Sequence, residues 1–123
     1  MDPFKIKRTR RDGPEAKIQE AWIKFLLVRG WYCVETHGTL YQSGLPDVFI
    51  THSKYGTRWT EVKNPEKWSF TPAQIEVFPK LIANGCGVWI ITAANELEYK
   101  KIFEPCNYHM FLSIMSPTRR GGA

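Results

Sequence analysis

Long apolar runs are absent from this sequence: no stretch approaches the ~20 apolar residues that a membrane helix needs. The first residues, Met1 to Arg11, are charged rather than apolar, so we expect no secretory signal peptide. Cysteine is also scarce, because the chain has only 3. Three widely spaced cysteines predict reduced thiols rather than a disulfide framework. These absences predict a cytoplasmic protein with no membrane partner.

The length of 123 residues allows one domain with one sizeable hydrophobic core. The basic excess lies at the two ends, because the residues between them carry ten charges of each sign. We therefore expect a basic arm (1–13), a single folded domain (14–116) and a basic, Gly-rich tail (117–123). The ends either neutralise nucleic-acid phosphates or are simply solvated, and charge alone does not decide between these alternatives.

Apolar periodicity predicts seven secondary-structure elements. Helices are expected at 15–29, 71–83 and 95–103, and strands at 31–36, 46–51, 58–63 and 88–92. The last strand is fully apolar, so it should lie buried inside the sheet. The order α-β-β-β-α-β-α predicts an α/β fold with a mixed sheet flanked by helices, in which a helical crossover joins the third and fourth strands.

Two acidic residues lie within strand patterns, where carboxylates are disfavoured. Asp47 is near the start of the second predicted strand, and Glu61 is in the third. Glu61 and Lys63 share one face of that strand because side chains alternate. If the second and third strands pair as a hairpin, Asp47 can lie alongside them. Two carboxylates and an ammonium at one end of a sheet predict a hard-cation site that can act on a phosphate.

A surface salt bridge on an edge strand is the alternative explanation for Glu61 and Lys63, since such pairs are common and weak. The stretch Gly44-Leu45-Pro46-Asp47, one strand earlier, favours a catalytic site. Its proline fixes an extended approach that puts Asp47 at the start of its strand. The two features together are more specific than either alone.

These motifs resemble the PD-(D/E)XK nuclease superfamily, and within it the VRR-NUC branch. The resemblance covers about residues 15 to 92. It rests on Gly44-Leu45-Pro46-Asp47, on Glu61-Val62-Lys63 and on the helix opening Phe70-Thr71-Pro72-Ala73-Gln74. It implies a restriction-endonuclease-like α-β-β-β-α-β-α core with a mixed central sheet.

The same resemblance implies a role for each motif residue. Asp47, Glu61 and the Val62 carbonyl would ligate Mg²⁺ or Mn²⁺. Lys63 would be the catalytic lysine, and Gln74 would point toward the site from the crossover helix. The active centre expected from the resemblance therefore combines three segments of the chain.

The family also has a glutamate in its first helix, for which Glu15 and Glu20 compete. The text Glu15-x-x-Ile18-Gln19 resembles the family's helix opening. On a helix, Glu15 lies about 60° from the centre of the apolar face and Glu20 about 160° away, so Glu15 can reach the sheet. We predict Glu15 as a metal ligand; the alternative is that it complements the helix dipole. Gln19 is expected to support the same cluster.

Three further residues are candidate substrate contacts. His37 lies in the loop before the second strand, and Lys54 and Arg58 flank the next turn. His37 could contact substrate or metal, and Lys54 and Arg58 could hold a phosphate next to the site. Solvation of an ordinary loop and turn explains them equally well.

The sequence thus predicts a Mg²⁺- or Mn²⁺-dependent endonuclease that hydrolyses DNA phosphodiester bonds. Stand-alone VRR-NUC members, typical of phages and bacteria, resemble Holliday-junction resolvases. That likeness implies branched DNA as the substrate, a homodimer, and a role in DNA repair or recombination. The alternatives are a nuclease acting on flaps, ends, single strands or RNA, and a non-catalytic DNA-binding module with the same fold. Such a module would usually have lost a carboxylate or the lysine, and here all three are present.

Overall fold

The computed structural model describes residues 13–36 and 43–113. Most of the predicted basic arm, the whole tail and His37 lie outside the described residues. The elements, in chain order, are α1 Pro14–Leu27, β1 Tyr32–Glu35, β2 Val48–His52, β3 Gly56–Val62, α2 Pro72–Ala83, β4 Val88–Ile91, α3 Glu96–Lys101 and α4 Tyr108–Ser113. Seven of these were predicted. Helix α4 was not, because its six residues are too few to show a helical period.

The four strands form one mixed sheet in the order β1-β2-β3-β4. Strands β1, β2 and β3 are successively antiparallel, whereas β3 and β4 are parallel. The predicted hairpin of β2 and β3 is therefore present, and α2 is the predicted crossover between the two parallel strands. Because β3 and β4 run in the same direction, their carboxyl ends meet at one edge of the sheet.

Helix α1 covers one face of this sheet. Its side chains Trp22 and Leu26 are fully buried, and they pack with Val48, Ile50 and Val62 of the strands. Trp22 is also tied to β3, since its Nε1 donates to the Thr60 hydroxyl at 3.3 Å. The helical spacing of its apolar residues thus docks α1 over the middle of the sheet.

Helix α2 covers the opposite face, beside β3 and β4. Phe78 of α2 is fully buried in a second cluster with Val88 and Ile90 of β4 and Tyr108 of α4. The helix begins with a capping box: the Thr71 hydroxyl accepts from the Gln74 amide, and the Gln74 side chain accepts from the Thr71 amide. This cap fixes where α2 starts relative to the end of β3.

The prediction for β4 was wrong in one respect. Val88, Ile90 and Ile91 are buried and Trp89 partly so, but among the described residues β4 is the last strand of the sheet rather than an inner one. Its outer edge is covered by Asn107, whose Oδ1 accepts from the Ile90 amide at 2.7 Å and whose Nδ2 donates to the Ile90 carbonyl at 3.2 Å. A side-chain amide thereby replaces a neighbouring strand, so an edge strand can be as apolar as an inner one.

Within residues 13–36 and 43–113, no helix is long and apolar enough to cross a membrane.

Candidate active site

The hairpin register brings Asp47 against Glu61. Val48 is paired with Thr60, so the residue before β2 lies beside the last residues of β3. The Asp47 amide donates to Glu61 Oε1 at 3.0 Å, and Asp47 Oδ2 accepts from the Val62 amide at 2.9 Å. Asp47 is thus joined to two consecutive residues of β3, Glu61 and Val62, by one main-chain to side-chain hydrogen bond each.

Thr36, at the end of β1, holds the Pro46-Asp47 segment from the other side. Its amide donates to the Asp47 carbonyl at 2.9 Å. Its hydroxyl donates to the Pro46 carbonyl at 2.7 Å. No sequence pattern pointed to Thr36, because its contact with Pro46-Asp47 arises only from the pairing of β1 with β2.

Glu61 and Lys63 form a buried ion pair rather than a surface one. Lys63 Nζ lies 3.0 Å from Glu61 Oε2, and the two side chains are only 7% and 3% exposed. Gln74 of α2 bridges them: its Nε2 donates to Glu61 Oε2 at 2.8 Å, and its Oε1 accepts from Lys63 Nζ at 3.2 Å. The surface salt-bridge alternative is therefore wrong for this pair.

The environment of Glu61 favours its protonated form. Burial, and next the negative charge of Asp47, raise the pKa of Glu61 to about 8, against the lowering effects of Lys63 and Gln74. A carboxylate that is buried against a second carboxylate is a feature typical of functional sites.

Lys63 is held from two further directions. Its amide donates to the Ile91 carbonyl at 2.9 Å, which anchors its main chain to β4. Its ammonium also lies 4.7 Å from the centre of the Phe70 ring. Such a cation–π contact stabilises a positive charge in a dry site. Phe70 is a second residue that the sequence analysis did not single out as part of the site.

The first helix reaches the same edge of the sheet through Glu15. Glu15 Oε2 accepts from the Asn64 amide at 3.3 Å, one residue after Lys63. Glu20 is exposed on the outer side of α1. The structure thus puts Glu15, and not Glu20, on the side of the helix that faces the sheet.

The oxygen donors of Asp47 and Glu61 fit a hard divalent cation. Burial, and next the negative charge of Asp47, raise the pKa of Glu61, and a bound cation would relieve the repulsion between the two carboxylates. Within residues 13–36 and 43–113, however, no three His, Cys, Asp or Glu side chains converge on one point suited to a metal. The structure therefore joins two of the predicted ligands and has Glu15 nearby, bonded to Asn64.

Comparison with solved structures decides the fold. A structure described as a VRR_NUC domain matches with a TM-score of 0.57 over 76% of this chain and 98% of that chain, at 20% sequence identity. The chain has the VRR_NUC fold. The predicted resemblance is thereby confirmed for the architecture. No family model matches the sequence, and a search of the curated proteins finds no match.

Within this VRR_NUC fold, two predicted substrate contacts lie away from the carboxylates. Lys54 is in the turn between β2 and β3, whereas Asp47 lies at the other end of that hairpin. Arg58 is engaged internally, donating to the carbonyls of Ile102 and Tyr55. The strand from Gly56 to Thr60 spans roughly 13 Å and separates the turn that holds Lys54 from the site. Arg58 is in the middle of β3 on the face opposite to that of Glu61, because side chains alternate along a strand.

Gln19 is on the buried side of α1 and contacts β1. Its Nε2 donates to Glu35 Oε1 at 2.9 Å, and only 7% of the residue is exposed. Such burial leaves little surface for substrate. Its predicted role in substrate binding stays a prediction, as do those of Lys54, Arg58 and His37.

An open groove of about 330 Å³ lies beyond the loop that follows Lys63. Pro65 and Trp68 of that loop and Phe111 of α4 contribute to its walls. None of the predicted site residues lines it. The groove therefore adjoins the candidate site without including its described side chains.

Proposed function

We propose that this protein is a divalent-cation-dependent endonuclease that hydrolyses DNA phosphodiester bonds. The observation that carries the proposal is the hydrogen-bonded cluster of Asp47, Glu61, Lys63 and Gln74 at one edge of a VRR_NUC fold. A purely structural ion pair has no need of a second carboxylate bonded beside it, since burying like charges together is costly.

Asp47 and Glu61 would hold Mg²⁺ or Mn²⁺, and the Val62 carbonyl and Glu15 are the further ligands we propose. When bound, the cation would supply Lewis-acid stabilisation of charge on the phosphate. Glu15 approaches the same sheet edge at Asn64. All four donors are oxygen atoms, which suits hard divalent cations such as Mg²⁺ and Mn²⁺ rather than softer transition metals.

Lys63 supplies the positive charge of the mechanism. Its ammonium is held beside the carboxylates by Glu61 and Gln74, so it needs no reorganisation to face a phosphate. It can donate a hydrogen bond to the attacking water or to a phosphate oxygen. Asp47 and Thr36 fix the main chain on the other side of the cluster, which limits movement of the carboxylates.

We further propose that the substrate is branched DNA, cut by a homodimer in the cytoplasm of a bacterial or phage-infected cell. The basic arm would contribute phosphate contacts, because α1 begins at Pro14, next to the Glu15 contact with Asn64. The three free cysteines, Cys33, Cys86 and Cys106, suit a reducing compartment.

The test compares cleavage of a labelled four-way junction and a matched linear duplex in Mg²⁺, Mn²⁺ or EDTA. Asp47→Ala and Lys63→Ala are assayed beside the unmodified protein. We expect paired, cation-dependent cuts in the junction that both substitutions abolish. Equal cleavage of the linear duplex would keep the site and remove the branched-DNA assignment. Tight DNA binding without cleavage in any cation would instead support a non-catalytic binding module.

A further inference from the structure

The first turn of α2 is linked to the buried ion pair through one side chain, Gln74. Gln74 Oε1 accepts from the Thr71 amide at 3.0 Å and from Lys63 Nζ at 3.2 Å. Its Nε2 donates to Glu61 Oε2 at 2.8 Å. Thr71 itself is exposed, and among the described residues its amide and hydroxyl are hydrogen-bonded to Gln74 rather than to Glu61 or Lys63. A surface residue is therefore linked to both members of the ion pair through a single intermediate residue, Gln74.

Thr71 acts together with Lys63 and Glu61 to set which end of the Gln74 amide faces which partner. The two ends are alike in shape but opposite in hydrogen bonding, since the oxygen only accepts and the nitrogen only donates. A flipped amide would turn its NH₂ group toward two donors, the Thr71 amide and the Lys63 ammonium. It would also turn its oxygen toward the Glu61 carboxylate. The orientation in the structure satisfies all three contacts.

The Thr71 hydroxyl completes this arrangement. It accepts from the Gln74 amide at 3.1 Å, so the main chain of each residue is bonded to the side chain of the other. Loss of the hydroxyl would free the turn to rotate, and the Thr71 amide would no longer be aimed at Gln74 Oε1. The strength of one helix cap is thereby transmitted to the contact between Gln74 and the ion pair.

We propose that Thr71 is a positioning residue for Glu61 and Lys63, acting through Gln74. This inference rests on the proposed nuclease function, because the pair it orients is the proposed catalytic pair. A merely structural N-cap is the competing explanation. The two differ in what a cap substitution changes: a structural cap affects stability alone, whereas a positioning cap also affects the chemical step.

The chain offers a matched control at the start of α3. The Asn95 side chain caps that helix by accepting from the Glu98 amide at 2.9 Å. Glu98 contacts Thr92 and Lys101, and no hydrogen bond joins it to the described residues of the ion-pair cluster. Asn95→Ala therefore removes a cap of the same kind away from the site.

The first measurement does not depend on catalysis. Solvent exchange of the Gln74 side-chain amide protons is measured by NMR in the unmodified protein and in Thr71→Ser, Thr71→Val and Asn95→Ala. We expect Thr71→Val to speed exchange by about fivefold, the equilibrium effect of a typical helix cap. Thr71→Ser and Asn95→Ala should leave it unchanged. Unchanged exchange in Thr71→Val would overturn the inference, even if the protein cleaves no DNA.

The second measurement separates kcat from KM on a DNA substrate that the unmodified protein cleaves. Thr71→Val should lower kcat about tenfold, as small misplacements of reacting groups do, with KM within about twofold. Thr71→Ser should restore kcat, and Asn95→Ala should preserve both constants. If Thr71→Val and Asn95→Ala act alike, Thr71 is only a cap and the proposed nuclease function stands. An unmodified protein that cleaves nothing would reject that function alone.

Discussion

The main chain of Asp47 holds the side chain of Glu61: the Asp47 amide donates to Glu61 Oε1 at 3.0 Å. In return, the strand that carries Glu61 holds Asp47, since the Val62 amide donates to Asp47 Oδ2 at 2.9 Å. Each carboxylate is thus oriented by the backbone beside the other. Backbone donors cannot be removed by substitution, so the charge of either residue can be changed while much of this geometry is kept.

Asp47→Asn is the sharpest test of charge at the site. The asparagine carbonyl can still accept from the Val62 amide, so the fold should be retained while one negative charge is lost. We expect cleavage to fall at least about 100-fold, the scale found when a group that stabilises the transition state is removed. Initial rates on labelled DNA at saturating Mg²⁺ measure the effect, and circular dichroism checks folding. A rate within threefold of the unmodified protein would exclude Asp47 from catalysis.

Glu61 should make the metal-free protein less stable as the pH rises. Its pKa is raised to about 8 by burial and by Asp47, against about 4.5 for an unperturbed carboxyl. Because the folded state binds the proton more tightly, this contribution is fully present below pH 4.5 and is lost as the pH rises through about 8.

Urea unfolding in EDTA at several pH values between 5 and 9 tests this expectation. Glu61→Gln should flatten the profile, because it cannot ionise. Glu76→Gln, an exposed carboxylate on α2, should follow the unmodified protein. An identical slope for the unmodified protein and Glu61→Gln would contradict the expected ionisation.

Divalent cations should stabilise the folded protein through the carboxylate pair. A ligand that binds only the folded state adds about 2.7 kcal/mol at 100 times its Kd. Thermal unfolding in increasing Mn²⁺ should therefore shift upward in the unmodified protein and shift little in Asp47→Ala. Glu76→Ala is the control for unspecific binding to a surface carboxylate. Equal shifts in all three proteins would place the cation elsewhere.

The basic arm should govern the salt dependence of DNA binding. Residues 1–12 carry five Lys or Arg side chains. Replacing residues 1–12 with a Gly-Ser segment of equal length should make the negative slope of log K against log salt shallower by up to about 4. Fluorescence anisotropy with a cleavage-inactive Asp47→Asn background measures this slope. An unchanged slope would mean that the arm is solvated and does not contact phosphates.

Asn107 should stabilise the fold because its one side chain pairs both the amide and the carbonyl of Ile90. Asn107→Ala leaves the amide and carbonyl of Ile90 unpaired at a buried edge, which costs about 1–3 kcal/mol for each unsatisfied group. Urea unfolding measures the loss. Asn84→Ala is the control, since Asn84 also donates to a carbonyl, that of Lys80, but at the exposed end of α2. Equal losses would show that the edge contact adds nothing.

Local patterns were enough to predict most of the fold. Strong periodicity predicted α1 and α2, and short β-branched and aromatic runs predicted all four strands. The helical crossover before β4 was predicted, and a hairpin of β2 and β3 was the condition for bringing Asp47 beside Glu61, whereas the pairing of β1 with β2 comes from the structure. Helix α4 and the edge position of β4 were not predictable in this way. The helix has only six residues, and the edge of β4 is covered by Asn107, a polar residue in an irregular segment with no periodic signal.

The candidate site was also predictable in part. Its residues were identified from the sequence, because carboxylates in strand patterns are rare and Pro46-Asp47 stands one strand before Glu61-Val62-Lys63. The geometry also confirms that Glu15, rather than Glu20, faces the sheet. The structure does not bring Lys54 and Arg58 to the site. Lys54 lies at the turn of the hairpin, whereas Asp47 lies at its open end, and the Arg58 side chain donates to the carbonyls of Ile102 and Tyr55.

The sequence by itself determined which residue types stand at which strand ends, and hence the architecture and the chemistry available to it. Only the tertiary structure decided that Glu61 and Lys63 are buried, that Gln74 bridges them, and that Thr36 and Thr71 hold the cluster from outside. Burial and hydrogen bonding depend on distances between segments far apart in the chain. Those distances are set by the packing of α1 and α2 on the sheet, which no local pattern contains.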